Sequence, residues 1–126
     1  GVQTCALPIY HKTGQYDLLK YVHNVWKDKK KTIINIGSYA TDFKYRNPEI
    51  LEYSIIKRSI EDYSHFISND SCKLRSMLFK PSWVDTNLGS HGPKDKKILP
   101  TYCAEVIDFM IRSPYTIKEL SLCNMK

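Results

Sequence analysis

The run Thr32-Ile33-Ile34-Asn35-Ile36 constrains this chain more than any other stretch. It is β-branched and unbroken, as expected for a strand buried on both faces of a parallel sheet. Helical spacing flanks it. Leu18, Leu19, Val22, Val25 and Trp26 mark one face of a helix over residues 13–28, with Thr13 as its candidate N-cap. Ile56, Ile60, Tyr63 and Ile67 mark one side of a second helix over 49–68. Leu74 to Lys80 reads as the next strand, stopped by Pro81. Pro100 suits the first turn of a third helix, whose buried face is Cys103, Val106, Ile107, Met110 and Ile111 and which Ser113-Pro114 stops. Glu119 to Cys123 reads as a last short strand. The order α-β-α-β-α-β predicts an α/β fold with parallel layers.

The central run leads into Gly37-Ser38, a small pair at the strand's exit, and Tyr53 and Lys57 follow on the second helix. Residues four apart on a helix differ by about 400°, so Tyr53 and Lys57 share one face. That pairing suits proton chemistry. A Tyr hydroxyl titrates near pH 10, and a nearby ammonium favours the phenolate. A serine hydroxyl at the strand exit can hold a substrate oxygen. Spacing alone is weak evidence, because Tyr16–Lys20 repeats it without a strand and serine before it and reads as a solvated face. The context of Tyr53–Lys57 distinguishes it.

At 126 residues the chain fits one domain at most. Its net charge of +6 raises the question of nucleic acid. The basic residues cluster at Lys27–Lys31 and Lys94–Lys97, each interrupted by an Asp, which reads as solvated linker rather than a recognition surface. No apolar run approaches the roughly 18 residues of a membrane span. Cys5, Cys72, Cys103 and Cys123 are widely spaced, with no CxxC pair or Cys/His cluster, so neither zinc nor a disulfide framework is expected. Buried, reduced cysteines in a cytoplasmic protein fit better.

Four features in order resemble the short-chain dehydrogenase/reductase family, in its compact single-domain branch. Asn35-Ile36-Gly37-Ser38 looks like the strand ending in the catalytic serine. Tyr53-Ser54-Ile55-Ile56-Lys57 matches the family's YxxxK. Pro81-Ser82-Trp83-Val84-Asp85-Thr86 looks like its P-G-x-V-x-T segment, and Leu99–Pro114 with Ile117–Leu122 resemble its closing helix and strand. The resemblance implies an NAD(P)-dependent oxidoreductase that interconverts an alcohol and a carbonyl by hydride transfer. It implies Tyr53 as acid and base and Lys57 as the cation that lowers the Tyr pKa and bonds the nicotinamide ribose. It implies Ser38 as holder of the substrate oxygen, and Pro81, Val84 and Thr86 as nicotinamide contacts. Its implied cofactor is NAD or NADP, its partner a small alcohol or carbonyl, and its full-length state a homo-oligomer built on the two helices around the central strand.

Three departures from the family pattern stand out. Ser82 replaces the Gly after Pro81, and Gly allows backbone shapes that Ser adopts only with strain. His11 stands near the place where the family often carries a relay Asn, and reads as a solvated residue at a helix start. No G-x-x-x-G-x-G turn occurs, although a doubly wound fold receives its dinucleotide on such a turn. The expected reading is therefore the C-terminal half of a Rossmann-like domain over residues 10–126, inactive as written. Residues 1–9 resemble the in-frame translation of a sequencing adapter and are expected to be a scar. The alternative is a non-catalytic α/β module of the same fold that serves binding or assembly.

Overall fold

The computed structural model describes residues 4–5, 13–42, 48–86 and 94–124. Its elements are β1 (Thr4–Cys5), α1 (Gly14–Trp26), β2 (Thr32–Ile36), α2 (Pro48–Asn69), β3 (Arg75–Pro81), α3 (Pro100–Arg112) and β4 (Glu119–Leu122). The strands form one sheet in the order β1-β2-β3-β4, every pair parallel. From α1 onward the predicted order holds. β1 lies within the stretch that the sequence set apart as a scar, and pairs Thr4 with Thr32 and Cys5 with Ile33.

Alternation along the strands feeds two cores. Ile33 and Leu74 pack with Leu19 of α1 and with Ile60 and Ile67 of α2. Ile34, Met77 and Phe79 pack on the other face with Cys103 and Met110 of α3. The sheet is thus the middle of three layers, which is why β2 can be apolar on both sides. Asn35 is the exception in that strand. Its side-chain amide donates to Ser64 Oγ and Ser76 Oγ, each at 3.0 Å, so a fully buried polar group is satisfied between α2 and β3.

Three details differ from the sequence reading. Helix α1 ends at Trp26, and Lys29 N–H turns back to Trp26 O at 2.8 Å, so Lys27 and Asp28 lie beyond it. β3 does end at Pro81, but takes the proline in as its last residue. The proline pairs with Leu122, whose carbonyl accepts from Ser82 N–H at 2.8 Å, so the missing Pro N–H points away from β4 and breaks no bond there. The described cysteines are free but not uniformly buried: Cys103 is buried, Cys72 half-buried and Cys123 exposed where β4 ends. Among the described residues no helix is long and apolar enough to cross a membrane.

Arg75 ties the layers together. Its guanidinium donates to Ile111 O at 2.6 Å and Ser113 O at 2.8 Å, and its Nε–H donates to Thr32 Oγ1 at 3.2 Å. The last carbonyls of α3 have no intrahelical partner, and a cation there also meets the negative end of the helix dipole. We expect Arg75→Met to lower the stability by about 2–3 kcal/mol, since charge-assisted bonds are lost and two part-buried carbonyls left bare. Urea denaturation of the two proteins checks this, and a loss below about 0.5 kcal/mol would mean that water replaces the guanidinium without penalty.

Candidate functional site

Strand β2 delivers its last residues to the C-terminal edge of the sheet. Gly37 N–H donates to Phe79 O at 2.8 Å, which keeps the chain on β3 one residue beyond the strand. A Cβ at Gly37 would stand 3.0 Å from Leu78 Cδ1 and from Lys80 Cγ, so glycine allows this close approach. Ser38 follows, half-buried. Its carbonyl accepts from Thr41 N–H at 3.2 Å and Thr41 Oγ1 at 3.0 Å, closing a 3-10 turn over Tyr39–Asp42. Its Oγ accepts from Ala40 N–H at 3.1 Å. The hydroxyl proton is therefore left to donate outward, toward an oxygen placed at the strand exit.

Lys57 reaches the same edge from α2. Its Nζ donates to Gln15 Oε1 at 2.9 Å and to Ile36 O at 3.3 Å, while Gln15 Nε2 donates to Ile36 O at 2.9 Å. Burial pushes the Lys57 ammonium below the ordinary lysine range. Two of its three N–H groups are spent, and one remains. Tyr53 lies one turn earlier on α2, 48% exposed, with its ring centroid 5.8 Å from Lys57 Nζ. Lys57 is thus bonded to the residue two before Ser38 and faces the Tyr53 ring. No hydrogen bond joins Ser38 to Tyr53 directly.

Sequence reasoning missed Gln15. The place of the family's relay Asn was matched to His11, which lies outside the described residues. The signal was there in a weak form: Gln15 stands in the first turn of the helix before β2, where a long amide reaches the strand's exit and can donate and accept at once.

It missed a second group beneath Ser38. Lys80, next to last in β3 between Phe79 and Pro81, has a side chain only 4% exposed. Its Nζ lies 2.8 Å from Asp42 Oδ1, 3.0 Å from Glu61 Oε1 and 3.8 Å from Glu119 Oε1. The single Thr41 hydroxyl proton is shared between Ser38 O and Glu61 Oε1. Burial works against the Lys80 charge, but the bonds to Asp42 and Glu61 prevail and raise its pKa above the ordinary lysine value. These contacts pin the turn after Ser38 to α2 and β3.

The segment after β3 is held by a second short ladder. Ile98 N–H donates to Trp83 O at 2.8 Å and Asp85 N–H donates to Ile98 O at 2.9 Å, around a parallel bridge of Val84 with Ile98. That ladder leaves the Val84 N–H and carbonyl facing the other side, where Thr86 N–H takes the carbonyl at 2.8 Å. Val84 N–H makes no backbone bond among the described residues. Val84 is half-buried against the α3 core, and Thr86 is exposed. Pro81, at the base of this segment, is half-buried. The serine at 82 brings no backbone strain, since no described non-glycine residue has a positive φ. Its Oγ, however, is buried without a hydrogen-bond partner.

No family model matches the sequence, and a search of curated proteins finds no match. Solved structures do match. An alcohol dehydrogenase from the archaeon Thermococcus sibiricus, complexed with 5-hydroxy-NADP, is 19% identical with a TM-score of 0.73, covering 89% of this chain and 49% of that one. A serine dehydrogenase from Escherichia coli is 19% identical with a TM-score of 0.65, covering 86% and 49%. A short-chain dehydrogenase from Streptomyces avermitilis is 16% identical with a TM-score of 0.63, covering 86% and 48%. The chain has the α/β fold of these dehydrogenases and spans about half their length.

Proposed function

We propose that this chain is the C-terminal half of an NAD(P)-dependent oxidoreductase of the short-chain type, which interconverts a small alcohol and a carbonyl. The observation that carries the reading is Lys57, half-buried and held by Gln15 and Ile36 O at the strand exit, with Tyr53 beside it. A lysine whose ammonium is costly to bury is kept there by two acceptors, and its remaining N–H is available to a ligand hydroxyl.

The bound nicotinamide would supply the hydride. The chain's own residues would supply the rest. Tyr53 would give a proton to the carbonyl oxygen on reduction and take it back on oxidation. Lys57 would stabilise the phenolate and bond a ribose hydroxyl. Ser38 Oγ–H would donate to the substrate oxygen and hold it against Tyr53. Val84 N–H, facing away from its own ladder, and the exposed Thr86 would hold the carboxamide, with Pro81 beneath the ring. These residues fit the nicotinamide end only.

Cofactor titration tests the reading. The 126-residue chain alone should bind NAD or NADP no tighter than roughly 1 mM, because only nicotinamide-end contacts are supplied. Joined to an N-terminal half that carries the Gly-rich turn, it should bind in the micromolar range and turn over alcohols or carbonyls. Micromolar binding by the short chain would refute the half-domain reading, and an inert joined protein would refute the enzymatic one.

The same reading makes the full-length enzyme a homo-oligomer. Helices α1 and α2 lie side by side, linked by the 2.9 Å bond between His23 Nδ1 and Tyr63 OH. They expose Tyr21 and Val25 on α1, and Leu51, Ile55 and Phe66 on α2. An apolar patch of that kind suits a self-complementary interface. Sedimentation of the joined protein should show a dimer or tetramer that Ile55→Lys reduces to monomer. A monomer before substitution would dispose of the idea.

A further inference from the structure

We propose that His23, Asp70 and Cys72 form a binding site for a single zinc ion, at the end of the sheet opposite Ser38. The three come from separate places in the chain: the C-terminal half of α1, the residue after α2, and the turn before β3. The strands are parallel, so the N-terminal end of β3 and the C-terminal exit of β2 lie at opposite edges. The site therefore shares nothing with Tyr53 and Lys57.

The donor atoms of the three residues all lie within 4.8 Å of one another. His23 is 8% exposed, and its Nε2 is buried without a hydrogen bond. A buried imidazole nitrogen without a partner calls for an explanation. Its nearest acidic neighbour, Asp70 Oδ2, is 3.7 Å away, beyond hydrogen-bond reach. The other Asp70 oxygen, Oδ1, accepts from Ser71 N–H at 2.9 Å, which leaves Oδ2 turned to His23. The Cys72 thiol donates weakly, at sulfur hydrogen-bond distance, to Ile67 O at 3.8 Å and Leu74 O at 3.7 Å, bonds that zinc binding would give up.

Zinc accepts nitrogen, oxygen and sulfur together, and tetrahedral bonds of roughly 2.0–2.3 Å place neighbouring donors about 3.4 Å apart. The His23–Asp70 separation is already close to that, and side-chain rotation of about 1 Å at Cys72 completes the triangle. A carboxylate and a thiolate balance the ion's charge, the thiol proton leaving to solvent on binding. Tyr63 supplies the outer contact that a metal-bound histidine needs. Its oxygen, 2.9 Å from Nδ1, can take the Nδ1–H and so direct the Nε2 lone pair to the ion. Asp70 is exposed and Cys72 half-buried, so the ion would enter from solvent and keep a water as fourth ligand.

The test uses the 126-residue chain, with Zn2+ competed against a chromophoric chelator, Co2+ as optical probe and circular dichroism on each sample. One equivalent of Zn2+ should bind with a Kd of about 1 μM or tighter. Co2+ should give tetrahedral visible bands and a near-ultraviolet thiolate-to-cobalt band. Cys72→Ser should remove that near-ultraviolet band and weaken Zn2+ by more than about 100-fold. Tyr63→Phe should keep the band and weaken Zn2+ about 10-fold. Folding of the chain only when zinc is added would also support the site. The proposal is overturned if the chain takes up no stoichiometric Zn2+, stays unfolded with it, or binds it equally well as Cys72→Ser.

Discussion

Tyr53→Phe, made in the joined, active protein, should lower turnover by roughly 10²–10⁴-fold, the usual contribution of a positioned acid or base. The substitution removes one oxygen from a half-exposed ring, so the fold should not notice it. Lys57 keeps its bonds to Gln15 and Ile36 O, because neither involves the phenol. Cofactor affinity should therefore change by less than about threefold, and the loss should fall on kcat. A Phe variant with full turnover would remove Tyr53 from the chemistry. A variant that loses cofactor binding along with turnover would assign the ring a binding role instead.

The largest effect on stability is expected at Lys80. Replacing it with Met leaves Asp42 and Glu61 facing each other beneath Ser38 without a cation, and Glu61 is only 14% exposed. Removing one partner of a buried pair typically costs about 3–5 kcal/mol. That is a large share of the roughly 5–15 kcal/mol that holds a domain together. Adding Glu61→Gln should restore part of the loss, which a purely steric explanation of the Met variant does not predict. The pH dependence follows from the direction of the shift. The folded pKa of Lys80 is raised, so its contribution is complete below the unfolded lysine value of about 10.4 and fades as pH rises through the folded value. Urea melts taken from neutral to strongly alkaline pH should show that decline in the parent and a flatter profile in Lys80→Met. Equal slopes would mean that Lys80 is not the group responsible.

The elements from α1 onward were legible because each announces itself locally, whereas the two-residue β1 does not. β2 matches its apolar run residue for residue, and α2 and α3 agree within a residue or so of the spacing that predicted them. Helical period likewise placed Tyr53 and Lys57 on one face. What the sequence hid depends on contacts between elements. Lys80 looks like the polar end of a strand until Asp42 and Glu61 arrive from two other segments. Gln15 gains meaning only when α1 brings it to Ile36 O. His23, Asp70 and Cys72 show no ligand spacing, because the turn after α2 has to meet α1 before they form a cluster. Ser82 is a milder case. Its departure from glycine predicts strain, yet the backbone there is ordinary, since the bond from its N–H to Leu122 O is reached without a left-handed residue.

The short β1 has a practical consequence for how the molecule can be assembled. It pairs with only the first two residues of β2, Thr32 and Ile33. Among the described residues, the outer side of Ile34, Asn35 and Ile36 has no strand beside it. That side runs up to Gly37 and Ser38. A parallel strand carried on a separate polypeptide could therefore register along β2 and end beside Ser38. On the proposed reading, an N-terminal half supplied in trans would have to take the place of β1 along Thr32 and Ile33, so any turnover regained by the two-chain mixture would report directly on strand docking.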